Sequence, residues 1–367
     1  MSYMLSTTWR RYRFLFFIIL AFTFVLVVGQ TTLISRSQGL EQLQHRSSAD
    51  LNRYLLSLQQ KLDRYKDLPG LLSTHSTLTD ALQQQDDPFL AQRANTYLEQ
   101  VNQTINAADV YLMNNSGDTL AASNWADDRS FVGKNYAFRP YFKDAMKGKA
   151  GRYFALGSVS KKRGYYFSYP VYNVGEIIGV VVLKIDLNEI ESDWTDPDLD
   201  IVVTDEDGVI FISTQTDWKF RTLRPLSQQG IQRIAESLRY GDHQLTALDI
   251  VEQKEREEGG TLVTLVDGKR INNEALDGVK AKEFLLLSRE LEGSGLTVVV
   301  LASTKPVKVR MFYTALTIGF IFSALVLLVM VLLTRQRITR ERVRFKLLET
   351  KALEANEARV RAIIDNT

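Results

Sequence analysis

The sequence predicts an α+β membrane protein in which two tandem antiparallel-sheet modules stand on a long stalk helix, flanked by two transmembrane helices. Residues 14–34 and 311–334 contain no charged side chain, and each run reaches the roughly 20 residues that cross a bilayer as a helix. Between them, a helical repeat of apolar residues precedes two successive groups of short strands with glycine-containing turns. The segment between the two runs is long enough for two ordinary domains or one elongated one.

Basic residues beside the two apolar runs predict the topology. Arg10, Arg11 and Arg13 precede the first run, and a larger cluster follows the second at Arg335, Arg337, Arg340, Arg342, Arg344 and Lys346. Because positive charge stays in the cytoplasm, residues 1–13 and 335–367 are predicted to be cytoplasmic. The segment between the spans is predicted to lie in the periplasm of a bacterial inner-membrane protein. The alternative for the first run is a cleaved signal peptide, but the run is long and no small-residue cleavage site follows Val28.

Composition excludes several kinds of function. The net charge is only +2, so the strongly basic surface typical of nucleic-acid binding is not expected. The chain has no cysteine, which excludes disulfides, iron–sulfur clusters and thiolate zinc sites. Its three histidines, His45, His75 and His243, stand at no metal-ligand spacing. We therefore expect no metal site and no cofactor, and no catalytic constellation is apparent.

The stalk and the membrane-distal module are predicted from helix and strand patterns. Apolar residues recur every three or four positions within residues 35–70, which predicts a stalk helix that stops or kinks at Pro69. Asp87 and Pro88 are typical of a helix start, so a second helix is expected to run to about Ile105. The module is predicted to cover residues 71–195, with strands at 108–113, 119–123, 153–156, 165–171 and 177–185, a helix at 140–147 and a turn at 162–164.

The membrane-proximal module, residues 196–305, is predicted to repeat this pattern on a smaller scale. Its predicted elements are strands at 200–204 and 209–213, a helix at 227–238, and strands near 244–247, 260–266, 284–289 and 297–302. The acidic turn at residues 205–207 lacks the remaining ligands of a calcium loop. We interpret it as a solvent-exposed hairpin turn.

Four segments of the predicted distal module follow one another along the chain in an order typical of one protein family. They read FVGKNYAFRPYF at 131–142, RYFALGSVS at 152–160, GYY at 164–166 and GVVVLKID at 179–186. This set resembles the sensory domain of the bacterial four-carbon-dicarboxylate sensor histidine kinases, the DctB-like family, and the resemblance extends over both spans and everything between them. It implies a double Cache fold, in which two PAS-like modules stand on a long stalk helix. The chain departs from the family pattern at residues 158–160 and at Arg163, so the resemblance does not specify which dicarboxylate is bound.

Two cations in these segments indicate what the distal module binds. Lys184 lies in the apolar strand 177–185, and a buried lysine requires an anionic partner. That partner is either a ligand or Asp186, two residues further along the same face, unless the lysine extends to solvent at the strand end. Arg139 directly precedes a predicted helix start, where its guanidinium and the free N–H groups can converge on one carboxylate. The alternative is a structural arginine paired with Asp144 or another acid.

Small polar and aromatic residues complete the predicted ligand site. Besides the two cations, it comprises Tyr136, Tyr141, Ser158, Val159, Ser160 and Tyr166. The serine loop offers N–H and hydroxyl donors to an anion, whereas each aromatic residue taken alone is typical of a core position. An arginine and a lysine on opposite walls suit a small dianion with a carboxylate at each end, so the predicted ligand is succinate, fumarate or malate. An amino-acid receptor would instead need an acid facing the ligand's ammonium group.

The last segment, residues 335–367, indicates how a signal leaves. It contains no proline or glycine and places apolar residues at Phe345, Leu348, Ala352 and Ala355, which favours a signalling helix that pairs with its copy in a homodimer. Its final eight residues resemble the entry to a cytoplasmic PAS domain, and this segment carries no catalytic motif of its own. We expect the input half of a sensor histidine kinase that acts on a response regulator. A chemoreceptor and the input part of a diguanylate cyclase are the alternatives.

Overall fold

The computed structural model describes residues 3–194, 196, 198–266 and 281–364. The chain divides into two compact units. One unit consists of Glu41–Thr304 and contains all the strands described below. The other combines Met1–Leu40 with Lys305–Thr367 and is helical where it is described. Residues 267–280 of the predicted proximal module and residues 365–367 of the predicted signalling helix lie outside the described residues.

Four helices precede the first strand. They are α1 (Tyr3–Lys66), α2 (Leu68–Leu72), α3 (Ser76–Gln83) and α4 (Pro88–Ile105). The stalk is helical as predicted, and α1 ends shortly before Pro69, which has no N–H to continue a helix. Asp87 caps α4 as predicted, because its carboxylate accepts a hydrogen bond from the Phe89 N–H at 2.8 Å. Helix α3 is an addition to the predicted elements.

The first sheet has five antiparallel strands in the order β2-β1-β5-β4-β3. Its strands are β1 (Asp109–Asn114), β2 (Thr119–Ala122), β3 (Gly151–Leu156), β4 (Arg163–Asn173) and β5 (Glu176–Asp186), with helices α5 (Pro140–Ala145) and α6 (Asn188–Glu191). All five strands were predicted. The turn predicted at residues 162–164 is wrong, because Arg163 and Gly164 already pair with β3. Residues 157–162 form the connection instead.

The second sheet has six antiparallel strands in the order β10-β11-β12-β13-β6-β7. They are β6 (Leu199–Asp205), β7 (Ile210–Ser213), β10 (Ile250–Glu255), β11 (Thr261–Val266), β12 (Ala281–Leu291) and β13 (Leu296–Ser303), while β8 (Arg221–Thr222) and β9 (Thr246–Ala247) pair separately and α7 spans Gln228–Ser237. Strand β10 was not predicted. It is an edge strand whose residues are mostly exposed and partly charged, so it lacks the apolar alternation of a half-buried strand.

Alternation along β5 separates the two faces of the first sheet. Val181 and Leu183 belong to the core that also contains the stalk residue Leu58. Val182 and Lys184 point to the opposite face, because successive strand residues alternate. The main core also includes apolar residues of the second sheet. The face that carries Lys184 is therefore separate from the core that joins the two sheets.

Both sheets contain the same kind of hairpin. In the first, the side-chain oxygen of Asn114 accepts hydrogen bonds from the N–H groups two and four residues ahead, at 3.0 and 2.9 Å. In the second, Asp205 accepts the equivalent bonds at 3.0 and 2.8 Å. The interpretation of residues 205–207 as solvent-exposed is wrong for Asp205, which is 2% exposed and accepts a hydrogen bond from Tyr240 Oη at 2.6 Å.

The helical unit consists of the first part of α1 and the helix α8 (Lys305–Ile364). Each helix contains a stretch long and apolar enough to cross a membrane, with no part of that stretch buried. The rings of Phe24 and Phe322 lie 5.2 Å apart, and the hydroxyls of Ser35 and Thr314 lie 3.4 Å apart, so the two helices pack together. The apolar runs predicted at 14–34 and 311–334 lie within α1 and α8.

Candidate ligand-binding site

A small cavity lies on the face of the first sheet that points away from the main core. Ten residues line it: Tyr111, Phe131, Tyr136, Arg139, Tyr141, Gly157, Ser158, Val159, Ser160 and Tyr166. They come from β1, β4, α5 with the segment before it, and the loop between β3 and β4. The lining leaves about 10 Å³ for the centre of a water molecule, which is the space of about one water. A larger ligand fits only if the lining moves.

Seven of the eight predicted site residues line this cavity, and the eighth, Lys184, contacts the lining residue Ser160. Three further lining residues, Tyr111, Phe131 and Gly157, were not predicted to belong to the site. Tyr111 alternates in β1 as a core residue does, and no sequence signal separates the two roles. Phe131 and Gly157 lie in the segments that carry the family resemblance, so the resemblance itself was the signal that could have found them.

Lys184 is buried and has two partners inside the protein. Its side chain is 1% exposed, and its ammonium group donates to Asp109 Oδ2 at 3.1 Å and to Ser160 Oγ at 2.9 Å. Asp109 stands directly opposite Lys184 in the register of β1 and β5. The alternative partner considered from the sequence, Asp186, is wrong, because the carboxylate that pairs with the ammonium group is that of Asp109. Residue spacing within β5 cannot predict this partner, because Asp109 lies on the neighbouring strand β1.

Arg139 is also buried, at 3% exposure, but it binds main-chain carbonyls. Its guanidinium donates to Leu156 O at 3.0 Å, Leu238 O at 3.2 Å and Ser237 O at 3.3 Å. The alternative ion pair with Asp144 is therefore wrong. Ser237 and Leu238 end α7, where carbonyls without helical partners attract a cation. Arg139 thus connects the wall of the cavity to a helix that follows the first strands of the second sheet.

The loop between β3 and β4 brings Ser160 to Lys184. The Gly157 N–H donates to Lys162 O, and the Lys161 N–H donates to Gly157 O, each at 2.9 Å. A Cβ added to Gly157 would overlap with Ser160 Oγ, so this close approach requires glycine. The serine hydroxyl is thereby held as an acceptor for the buried ammonium group.

Four tyrosines form a connected cluster around the cavity. The hydroxyls of Tyr111 and Tyr141 lie 2.7 Å apart, and the rings of Tyr141 and Tyr166 stack with centroids 5.2 Å apart. Burial raises the pKa of Tyr136 to about 12 and raises the pKa values of the other three further. These hydroxyls therefore remain uncharged near neutral pH. One hydrogen of the Tyr111–Tyr141 pair is used within that pair, which leaves the other hydroxyls of the cluster as donors for an oxygen atom of a ligand.

The second sheet carries a larger cavity of about 660 Å³. Its lining mixes acidic, basic and aromatic residues, and several of its polar groups are paired with each other. Arg221 contacts Asp249 at 3.3 Å, and Asp200 accepts a hydrogen bond from Gln215 at 2.6 Å. The smaller cavity of the first sheet combines a buried arginine, a neighbouring buried lysine and several hydroxyl groups.

A family model described as the Cache domain matches residues 34–310. The C4-dicarboxylate transport sensor protein DctB of Pseudomonas aeruginosa is 38% identical over 65% of this chain and 39% of its own length. The protein of the same name in Rhizobium meliloti is 36% identical over 64% of this chain and 38% of its own length. The chain thus spans about two fifths of the length of the curated relatives it matches.

A solved structure is similar over the same region. The sensor domain of the V. cholerae histidine kinase DctB has 35% sequence identity and a TM-score of 0.63. The match covers 72% of this chain and 98% of that one. These comparisons confirm the resemblance that the ordered segments of the first sheet indicated.

Proposed function

The chain belongs to the Cache domain family, and from this membership we propose that it is a membrane-anchored sensor whose first sheet binds a four-carbon dicarboxylate in the periplasm. The proposal rests on one observation above all: the buried cations Arg139 and Lys184 lie at a cavity lined with tyrosine and serine hydroxyls. The names of the two curated relatives, both C4-dicarboxylate transport sensors, support the ligand class.

The hydrogen-bond capacity of the two cations suits a ligand with two carboxylates. A guanidinium has five N–H donors, and three of those on Arg139 are used by main-chain carbonyls. An ammonium group has three donors, and two of those on Lys184 are used by Asp109 and Ser160. Within the described part of the chain, both cations therefore keep donors for a ligand. Succinate, fumarate or malate can offer one carboxylate to each cation.

The size of the cavity connects ligand binding to movement. A four-carbon dicarboxylate needs more room than the space of about one water, so its entry must displace the lining. Because Arg139 also holds the carbonyls at the end of α7, a shift of its guanidinium towards a ligand carboxylate is transmitted to that helix. We infer that the signal begins with this displacement, because a ligand shifts an equilibrium through contacts that differ between two states.

The fold and the family also support the remaining parts of the proposed sensor. The repeated hairpin supports two tandem modules of a double Cache fold, with residues 71–195 distal and residues 196–305 proximal to the membrane. Both termini lie in the cytoplasm in this proposal, and the protein is a homodimer. Helix α8 begins two residues after β13 ends, so it can carry the signal to a histidine kinase part and a response regulator.

Ligand titration of the 367-residue chain in lipid nanodiscs tests this function. Calorimetry should detect binding of succinate, fumarate or malate, and the ligand should raise the Tm because it binds the folded state. Arg139→Ala and Lys184→Ala should each weaken binding by about 2–5 kcal/mol, the range for removing one partner of a buried charge pair. Monocarboxylates should bind much more weakly, because they engage one cation only.

Lys143→Ala is the matched control, since it removes a positive charge from an exposed position of α5. It should leave the dicarboxylate Kd unchanged. The Tm of each unliganded variant separates loss of the site from loss of the fold. Unchanged dicarboxylate binding in both the Arg139 and Lys184 variants would contradict the proposed site. Binding of an amino acid in place of a dicarboxylate would contradict the proposed ligand class.

A further inference from the structure

The ammonium group of Lys184 has an anionic partner within the protein. The Asp109 carboxylate contacts it at 3.1 Å, and the two side chains are 14% and 1% exposed. Arg139 and Lys184 bring two positive charges to the site and Asp109 brings one negative charge, so these three groups sum to one positive charge. A dicarboxylate brings two negative charges. The charge of the ligand therefore exceeds that of the three groups that face it.

We propose that Asp109 is an internal competitor for the Lys184 ammonium group, so that a dicarboxylate binds together with one proton, which Asp109 takes up. This inference rests on the proposed function, because it concerns the same site. A ligand carboxylate that reaches Lys184 also comes close to Asp109, since the two residues stand opposite each other on adjacent strands. Two carboxylates that share one ammonium group in a buried site disfavour each other's ionisation. A proton from solvent on Asp109 relieves that repulsion and turns the carboxyl group into a hydrogen-bond donor.

The surroundings of Asp109 favour this protonation. The charged or titratable groups that influence it come from several elements: Lys184 on β5, Lys162 in the loop before β4, Asp127 after β2, Tyr136 before α5 and Tyr166 on β4. Burial raises the pKa of Asp109, and the attraction of Lys184 offsets this only in part. A ligand dianion beside the carboxyl group raises that pKa further. Proton uptake then occurs between the pKa of the free protein and that of the complex.

Calorimetry of the wild-type chain with fumarate measures this proton directly. Titrations in two buffers of different ionisation enthalpy report how many protons enter the complex. We expect uptake of a proton on binding, and a Kd that rises with pH by up to about tenfold per pH unit within the window where uptake occurs. The sign follows because the pKa of Asp109 is higher in the complex than in the free protein. Binding without proton uptake at any pH in that titration would overturn the inference while leaving the proposed function intact.

The second test is Asp109→Asn, with Asp128→Asn as a control that makes the same change at an exposed position after β2. Asp109→Asn should tighten fumarate binding by about tenfold and abolish the proton uptake, whereas Asp128→Asn should leave the affinity and the proton uptake as they are in the wild type. Weaker binding in Asp109→Asn, as in Lys184→Ala, would mean that Asp109 positions the lysine and would overturn the inference. If Asp109→Asn does not fold, proton uptake by the wild type decides. If the wild type binds no dicarboxylate, the proposed function and this inference both fail.

Discussion

Gly164 leaves room for the stem of Lys184 beside β4. A Cβ added to Gly164 would lie 2.9 Å from Lys184 Cε and 3.0 Å from Lys184 Cγ. The lysine stem is flexible, so it can move aside without disrupting the strand, but its ammonium group then shifts away from Ser160. Gly164→Ala should therefore keep a Tm close to that of the wild type and weaken dicarboxylate binding by about tenfold, measured by calorimetry.

Gly70→Ala is the control for this substitution. Its added Cβ would lie 3.6 Å from the ring of Tyr169, which is an ordinary van der Waals contact. We expect no change in ligand affinity. If Gly164→Ala binds dicarboxylates as tightly as the wild type while Lys184→Ala does not, the position of the ammonium group has little influence on binding.

At the residue scale, the sequence predicted which groups belong together but not how they are bonded. Lys184 was identified because a charged residue within an apolar strand requires a partner, and Arg139 because it directly precedes a predicted helix start. Besides Ser160 and Leu156, which lie 24 and 17 residues away, their partners come from strand β1 and from the end of α7, which lie 75 and 98 or more residues away along the chain. Contacts at such separations follow from sheet register and domain packing, which a single sequence does not reveal. The nearby acids Asp186 and Asp144 were the partners within the protein that spacing along the chain suggested by name.

At the scale of elements, an ion-pair network joins the first sheet to the second. Arg163 at the start of β4 contacts Glu191 of α6 at 2.5 Å and donates to Phe211 O in β7 at 2.5 Å. Lys219 contacts the same Glu191 carboxylate at 2.6 Å. All three charged side chains are less than one fifth exposed. Removal of the Glu191 charge therefore leaves two cations unpaired in a buried position.

Glu191→Gln should destabilise the protein by about 3 kcal/mol at pH 7, a typical cost for breaking a buried pair. This loss corresponds to a decrease of roughly 6–12 °C in Tm, measured by thermal unfolding in detergent. Burial disfavours the Glu191 carboxylate, but hydrogen bonds from Arg163 and Lys219 outweigh it and lower its pKa. The stabilisation is thus fully present above the unfolded pKa of about 4.3 and is lost as pH falls through the lower folded pKa. The difference in the free energy of unfolding between Glu191→Gln and the wild type should therefore decrease as the pH falls through this range.

Asp193→Asn is a close control for the Glu191 substitution. Asp193 pairs with Lys61 at 2.5 Å, but its side chain is 63% exposed. An exposed ion pair contributes little to stability, so the Tm should be almost unchanged. Equal effects of the two substitutions would contradict the role assigned to burial in the Arg163–Glu191–Lys219 network.

Elements with local signals were predicted well, and elements defined by distant contacts were not. Helix α4 begins at Pro88, as the Asp87 cap indicated, because capping uses neighbouring residues. The short pair β8 and β9 was only partly anticipated, since two-residue strands carry no periodicity. The start of β4 was misplaced for a similar reason: Arg163 and Gly164 resemble a turn in sequence, yet their hydrogen bonds to β3 extend the strand.

At the scale of the whole molecule, the two sheets share one apolar core. Leu183 of the first sheet and Val300 of the second belong to the same buried cluster as stalk residue Leu58. The candidate cavity lies on the opposite face of the first sheet, and its direct connection to the second half of the fold is Arg139, whose guanidinium donates to carbonyls at the end of α7. The shared core explains why residues 41–304 form one compact unit, although the strand pattern predicted two modules.

The predicted topology is a property of the whole chain, and the absence of native cysteine makes it directly measurable. Asn115→Cys lies at an exposed turn between β1 and β2, and Gln336→Cys lies at an exposed position of α8 beyond its apolar stretch. Because the basic clusters favour cytoplasmic ends, an impermeant thiol reagent added to spheroplasts should label Asn115→Cys and leave Gln336→Cys unlabelled. Both should label once the membrane is dissolved, which shows that the bilayer provided the protection. Labelling of both positions from outside would rule out two spans with cytoplasmic termini.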